Sequence, residues 1–161
     1  MRALIAVRQP KRCVTFGPWS VAKMPDKAFP LSRGKGYRLG VNWRWCVCQL
    51  EGDTHCYRLL VAFNVAKAQY LAWLGLCDGA DQALIARLEY NPDHRGWHCH
   101  YKRGPLAAVT RGVVKEAGAH ESFRICRTDK PFSISEMDGI GVAFRVFSVT
   151  TDDGGGTGLF Q

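Results

Sequence analysis

A β-hairpin is encoded by Leu84-Ile85-Ala86-Arg87-Leu88-Glu89-Tyr90, then Asn91-Pro92-Asp93-His94-Arg95-Gly96, then Trp97-His98-Cys99-His100-Tyr101-Lys102. The outer segments alternate in the manner of strands, and the residues between them are turn formers. On one face of the two strands we expect Leu84, Ala86, Leu88 and Tyr90, joined by Trp97, Cys99 and Tyr101. We expect this hairpin to be a central part of the fold.

The register of the hairpin determines which polar side chains meet. If Tyr90 lies opposite Trp97 in an antiparallel pair, Glu89 lies opposite His98 and Arg87 lies opposite His100. One carboxylate and two imidazoles then share a face, away from the aromatic side chains. A slip of one residue in either strand would separate them, so the candidate site depends on this register.

The length and charge of the chain limit its class. A chain of 161 residues is expected to form a single domain spanning residues 1–161. The formal net charge of +8 favours a polyanionic partner, most often nucleic acid. Basic proteins without such a partner also occur, so charge alone leaves that alternative open.

The cysteines and the apolar segments indicate a cytoplasmic protein. Residues 1–7 form too short an apolar run for a secretory signal, and no window approaches the roughly 20 apolar residues of a membrane span. Seven cysteines in such a chain are expected to stay reduced. Cys46, Cys48 and Cys56 lack the spacing of a structural zinc site, which usually contains Cys-x2-Cys.

The first half of the chain is predicted to contain three strands and one helix. Residues 3–7 suggest a short strand, and the Pro-, Gly- and Lys-rich residues 9–36 suggest a basic irregular arm or loop. Alternation predicts a hairpin of strands at residues 38–50 and 55–63. Asn64 is a candidate N-cap for a helix over residues 64–76, which is rich in alanine and leucine.

In addition to the hairpin of residues 84–102, the second half is predicted to contain one helix and two strands. Leu106, Val109, Val113 and Ala117 recur at helical spacing and predict a helix over residues 106–117. Strands are expected at residues 122–127 and 142–149. Between them Ser133 and Glu136 suggest a capping box for a short helical turn that ends by Gly139, and residues 150–161 suggest a flexible Gly-rich tail. The result is an α+β fold, a mostly antiparallel sheet with two main helices packed on one face.

His98 and His100 are the sharpest candidates for chemistry. Alternate residues of a strand point the same way, so both imidazoles can reach one divalent ion, with Glu89 as third ligand. Manganese, zinc or magnesium would suit such a site, and His94 is an alternative ligand. Nearby basic residues are candidates for holding phosphate: Arg87, Arg95, Lys102 and Arg103.

The segment resembles the HUH class of endonucleases, the rolling-circle replication initiators and relaxases. The resemblance rests on Glu89, Gly96, His98, Cys99 and His100, together with the order of elements over residues 55–118. It implies a metal-dependent enzyme that cuts nucleic acid at a phosphodiester. The chain departs from the initiators because it has no tyrosine after Tyr101, and Tyr37 alone matches the N-terminal nucleophile of relaxases.

Three other interpretations stay open. His98 and His100, helped by Glu89, Arg87 and Lys102, could cleave RNA by general acid–base catalysis without a metal. The protein could instead be a non-catalytic module that binds nucleic acid or a nucleotide. It could also be a protein-interaction or inhibitor domain from a mobile element.

Overall fold

The computed structural model describes residues 1–24, 39–78, 81–92, 97–109, 120–124 and 134–151. These contain two helices and eight strands, with a short 3-10 turn at Leu106–Ala108. In chain order the elements are α1 (Ala3–Arg8), β1 (Lys11–Phe16), β2 (Arg44–Glu51), β3 (Cys56–Asn64), β4 (Gln69–Asp78), β5 (Asp81–Tyr90), β6 (His98–Lys102), β7 (His120–Arg124), α2 (Glu136–Val146) and β8 (Val149–Thr150). The fold is therefore α+β and dominated by its sheet.

All eight strands join one sheet in the order β7-β6-β5-β4-β3-β2-β1-β8. Six neighbouring pairs are antiparallel, from β1·β2 through to β6·β7. The exception is β8, which pairs with β1 in parallel at Lys11↔Val149 and Arg12↔Thr150. The last described strand in the sequence, β8, therefore lies beside the first, β1, and β7 and β8 form the two edges of the described sheet.

Two clusters of buried side chains lie on the sheet. The larger contains residues of both helices, such as Ala6 and Phe144, together with residues of the central strands, such as Leu59 and Leu88. The smaller contains Met24, Leu39, Leu60, Ala62, Leu71, Trp73 and Leu84, with Trp43, Trp45 and Val47 packed against it. Alternate residues of β3 and β4 enter different clusters, so these strands are buried on both sides.

A β-bulge in β5 changes which face of the sheet one residue of the hairpin of residues 84–102 points to. The pairing with β4 passes from Leu74↔Ala86 to Gly75↔Leu84, which leaves Ile85 as the extra residue. Leu84 then packs in the smaller cluster, while Ala86 and Leu88 pack in the larger one. The prediction that Leu84 shares a face with Ala86 and Leu88 is wrong for this reason.

The predicted helix over residues 64–76 is wrong, because most of that segment is β4. Tyr70, Ala72 and Leu74 enter the larger cluster and Leu71 and Trp73 the smaller one. A strand buried on both faces lacks the polar alternation that distinguishes it from a helix in sequence. Asn64 does accept a hydrogen bond through Oδ1 from the Lys67 amide, but in the tight turn between β3 and β4.

The strand predicted at residues 3–7 is helix α1. Ala3, Ala6 and Val7 are fully buried at the spacing of one helical face, whereas Ile5 is half exposed. The arm predicted over residues 9–36 contains strand β1, and residues 25–38 lie outside the described part. Regular structure therefore lies on both sides of Pro10, with α1 before it and β1 after it.

The strand predicted at residues 142–149 is mostly the end of helix α2. Ile140, Ala143 and Phe144 are buried at helical spacing, and the helix continues past Gly139 to Val146. Its N-cap is Ser135 rather than Ser133, with Asp138 completing a capping box. Only Val149–Thr150 forms the strand β8, which includes the first residue of the predicted tail; residues 152–161 lie outside the described part.

The helix predicted over residues 106–117 is reduced, where it is described, to the 3-10 turn at Leu106–Ala108. Val109 is extended after it, and residues 110–119 lie outside the described part. The predicted hairpin of residues 38–50 and 55–63 is confirmed as β2 and β3, and β7 covers part of the strand predicted at residues 122–127. The packing of two main helices on one face is not confirmed, because residues 69–76 of the first predicted helix belong to β4 and the described part of the second is a 3-10 turn.

Neither of the helices in the described ranges has the length and apolar character needed to cross a membrane.

Candidate metal centre

Strands β5 and β6 pair in the register that brings the candidate ligands together. Glu89 lies opposite His98 and Arg87 lies opposite His100, with Leu88 opposite Cys99 on the other face. The register predicted from the sequence is therefore confirmed. Alternation then directs one carboxylate and two imidazoles to the side of the sheet that carries the smaller cluster.

Glu89, His98 and His100 offer three ligand atoms that lie within 4.8 Å of one another. The imidazole rings meet edge to face with centroids 4.8 Å apart. His98 Nε2 lies 3.9 Å from Glu89 Oε2, which is too long for a hydrogen bond. All three side chains are half-buried and remain accessible to solvent.

A bound ion would require only modest movement of these side chains. Nitrogen and oxygen ligands lie about 2.0–2.2 Å from zinc, so two ligand atoms on one ion are roughly 3–4 Å apart. Side-chain rotations that move each ligand atom by about 1 Å would bring the three atoms to that spacing. Two imidazoles and a carboxylate suit zinc and manganese, whereas magnesium prefers oxygen ligands.

Arg87 lies beside the ligands but is buried, with 5% of its surface exposed. Its Nη1 donates a hydrogen bond of 3.0 Å to Glu89 Oε1, so the two residues form an ion pair along one face of β5. The guanidinium Nε is buried and makes no hydrogen bond with any residue that the structure describes. Arg87 therefore contacts a candidate ligand instead of facing solvent.

Strand β4 supplies an apolar flank that sequence reasoning missed. Leu71 pairs with Glu89 and Trp73 pairs with Arg87, and both are almost fully buried. These neighbours lower the local dielectric and so strengthen the Arg87–Glu89 attraction. The flank was missed because the segment was assigned to a helix, although its Trp and Tyr content also favours a strand.

The other predicted phosphate-binding residues differ in accessibility. Arg103 is exposed directly after β6, as a phosphate contact requires. Lys102 is 3% exposed, and this burial argues against the predicted role in direct contact with a polynucleotide. Arg95 and His94 lie outside the described residues. On the far side of β6, Ser122 and Arg124 of β7 hold the register positions paired with His100 and His98.

Cys99 belongs to the opposite face, although it lies between the two histidines in sequence. It is fully buried in the larger cluster, and burial raises the pKa of its thiol to about 12. A thiol with that pKa is almost entirely protonated at neutral pH and is a poor nucleophile. The candidate ligands on the site face are therefore the two imidazoles and the carboxylate.

Comparison with protein-family models, curated proteins and solved structures finds no match to this chain. The interpretation of the site consequently depends on its own geometry and charge.

Proposed function

We propose that this protein is a metal-dependent enzyme that cleaves phosphodiester bonds in nucleic acid. The observation that supports this most is the convergence of Glu89, His98 and His100 at an accessible point of the sheet. A divalent ion held there would act as a Lewis acid on a phosphoryl oxygen and would orient an attacking water.

The chain's own residues would hold both the ion and the substrate. His98 and His100 would bind as neutral imidazoles, and Glu89 would bind through the oxygen that faces them. Arg103, exposed directly after the end of β6, would contact a backbone phosphate of the bound strand. The net charge of +8 would raise the local concentration of a polyanion.

The resemblance to the HUH class supports the same chemistry at the metal but not the transfer of a strand to tyrosine. Tyr101 is on β6 next to His100, and alternation directs it to the opposite face. Tyr37 lies outside the described residues. We therefore propose water as the nucleophile, and a cytoplasmic site of action in which the cysteines stay reduced.

A metal-free mechanism has weaker support from the geometry. If Glu89 were the residue that orients His98 for general acid–base cleavage of RNA, the two side chains would share a hydrogen bond, and Glu89 Oε2 lies 3.9 Å from His98 Nε2. The same carboxylate is already paired with Arg87.

A binding module without catalysis is the second candidate function, and the net charge of the chain favours it.

The first experiment compares metal binding and cleavage in the wild type and in His98→Ala, His100→Ala and Glu89→Gln. We expect the wild type to bind one Mn²⁺ or Zn²⁺ per chain and to cleave labelled single-stranded DNA or RNA. Each variant should lose at least about 10- to 100-fold in metal affinity and lose cleavage. His55→Ala is the matched control, since it removes an imidazole outside the site, and should behave as wild type.

Circular dichroism of each variant shows whether the fold is retained. A wild type that binds no divalent ion, or folded variants that cleave as fast as wild type, would contradict the proposed function. Binding that falls steeply with salt and is unaffected by all three substitutions would identify the non-catalytic module instead. One tight protein partner with no response to polyanions would identify an interaction or inhibitor domain.

A further inference from the structure

Arg87 is a buried cation whose only side-chain hydrogen bond among the described residues is to a candidate metal ligand. Its exposed fraction is 5%, and its neighbours across the ladder are Trp73 of β4 and His100 of β6. Burying a guanidinium among apolar groups is costly unless a carboxylate compensates its charge. Glu89 supplies that carboxylate at 3.0 Å.

The ion pair divides the two oxygens of Glu89 between different partners. Oε1 accepts the hydrogen bond from Arg87 Nη1, while Oε2 is the atom nearest His98 Nε2, at 3.9 Å. Because Oε1 is already held, Glu89 would offer an ion one oxygen and not two. Hydrogen bonds of this kind orient a carboxylate ligand toward its ion.

The same pair cancels the charge of the ligand set. Glu89 contributes one negative charge and Arg87 one positive charge, and two neutral imidazoles add none. A divalent ion at this point would therefore keep its double positive charge in a partly buried site. The cost of that charge falls when an anion fills a remaining coordination position.

We propose that Arg87, through its ion pair with Glu89, makes the metal centre select a phosphate oxyanion as its remaining ligand. This inference rests on the proposed function, because it assumes that Glu89, His98 and His100 bind the ion. Arg87 is thus a positioning residue that acts on the metal through Glu89, and not a direct phosphate contact. The substrate class that follows is an anionic phosphate ester.

The test measures how inorganic phosphate changes the affinity for Mn²⁺, with free Mn²⁺ followed by electron paramagnetic resonance. In the wild type we expect phosphate to tighten Mn²⁺ binding by about tenfold, and Mn²⁺ to tighten phosphate binding by the same factor. In Arg87→Gln the ligand set is negative, so Mn²⁺ should still bind while the effect of phosphate falls to about twofold or less. Arg87→Lys restores the charge and should recover most of the effect.

Arg12→Gln is the matched control. Arg12 also pairs with a carboxylate, Glu51 at 2.8 Å, but on β1, four strands away from β5. The Arg12→Gln substitution removes the same charge from the chain, and this variant should keep the tenfold effect of phosphate. This comparison separates the local ion pair from the overall charge of the protein.

The outcomes distinguish the two proposals. A wild type that binds no Mn²⁺ overturns both the metal site and this inference. If Mn²⁺ binds but phosphate leaves its affinity unchanged, or changes it equally in folded Arg87→Gln, the inference fails and the metal site stands. If Arg87→Gln does not fold, the wild type and Arg87→Lys decide: loss of the effect of phosphate in folded Arg87→Lys contradicts the role of charge.

Discussion

Tyr70 connects the sheet to helix α2 through one buried hydrogen bond. Its hydroxyl donates to the carbonyl of Gly139 at 2.7 Å, and the side chain is 1% exposed. A Cβ atom at Gly139 would lie 3.5 Å from the Tyr70 ring and 3.4 Å from Ile134, so a small residue suits this close approach. Burial raises the pKa of Tyr70 well above its ordinary value of 10.

Tyr70→Phe is expected to lower the free energy of unfolding at pH 7 by about 1–2 kcal/mol. The cost arises because the buried hydrogen bond from the Tyr70 hydroxyl is lost, while the Gly139 carbonyl keeps only its helical donor. Urea unfolding, followed by tryptophan fluorescence, measures it. A variant as stable as wild type would contradict a contribution of this hydrogen bond to stability.

The same variant tests the pH dependence that follows from the raised pKa. The unfolded tyrosine ionises near pH 10, whereas the buried one stays protonated, so the unfolded chain binds fewer protons above that pH. The contribution of Tyr70 to stability is therefore complete below pH 10 and is lost as the pH rises. The difference in unfolding free energy between wild type and Tyr70→Phe should shrink from pH 9 to pH 11.

Among the elements, helix α2 has a complete N-terminal cap. The Ser135 hydroxyl accepts from the Asp138 amide at 3.2 Å, and the Asp138 carboxylate accepts from the Ser135 amide at 3.4 Å. Asp138 also places a negative charge in the first turn, where the helix dipole favours it. The cap fixes the position at which α2 begins.

Ser135→Ala should lower the free energy of unfolding by about 1 kcal/mol, since the Asp138 amide loses its side-chain acceptor. Thermal unfolding followed by circular dichroism measures the change. Met137→Ala, at an exposed position of the same helix, should change the free energy by less than about 0.5 kcal/mol. Equal effects of the two substitutions would contradict a role for the cap.

The hairpin of β5 and β6 was predictable because its pattern and its turn residues agree. Tyr90 and Trp97 flank a polar segment, and the assumption that they lie opposite each other gave the register in which Glu89 pairs with His98. The long strand β4 was not predictable in the same way. Its residues pack on both sides of the sheet, so burial removed the polar alternation by which a strand is recognised.

Segments at the margin of the sheet were misassigned for a related reason. Residues 3–7 and 142–146 are short apolar runs, and such runs fit a strand or a helix equally well until their neighbours are known. The bulge at Ile85 was also hidden, since nothing in the composition of β5 marks the extra residue. The candidate ligands were predicted, but the apolar flank from Leu71 and Trp73 and the burial of Arg87 came from the three-dimensional pairing.

At the scale of the whole molecule, Lys11 joins segments from opposite ends of the described chain. Its Nζ donates to the carbonyls of Val7, Gln9 and Phe147 at 2.9, 2.8 and 3.1 Å, and it lies 5.0 Å from the centre of the Tyr57 ring. Burial lowers the pKa of Lys11 to about 8. At pH 7 the amine is therefore mostly an ammonium ion that satisfies the last carbonyls of two helical segments.

Lys11→Met should lower the free energy of unfolding by roughly 3 kcal/mol, because three inward carbonyls lose their donor while the apolar stem is kept. Chemical denaturation at pH 7 measures the loss. Lys67→Met, in the exposed turn between β3 and β4, removes the same charge and should have little effect. A Lys11 variant as stable as the Lys67 variant would contradict this role.

The parallel contact of β1 with β8 sets an order for events during synthesis. Strands β2 to β6 pair with neighbours in sequence, so a nascent chain can assemble them as successive hairpins while translation continues. The strand that pairs with the outer edge of β1, and the Phe147 carbonyl that accepts from Lys11, are made only when residues 147–150 are synthesised. On the ribosome, β1 and the Lys11 ammonium must therefore wait until residues 147–150 have been made before all of these partners are present.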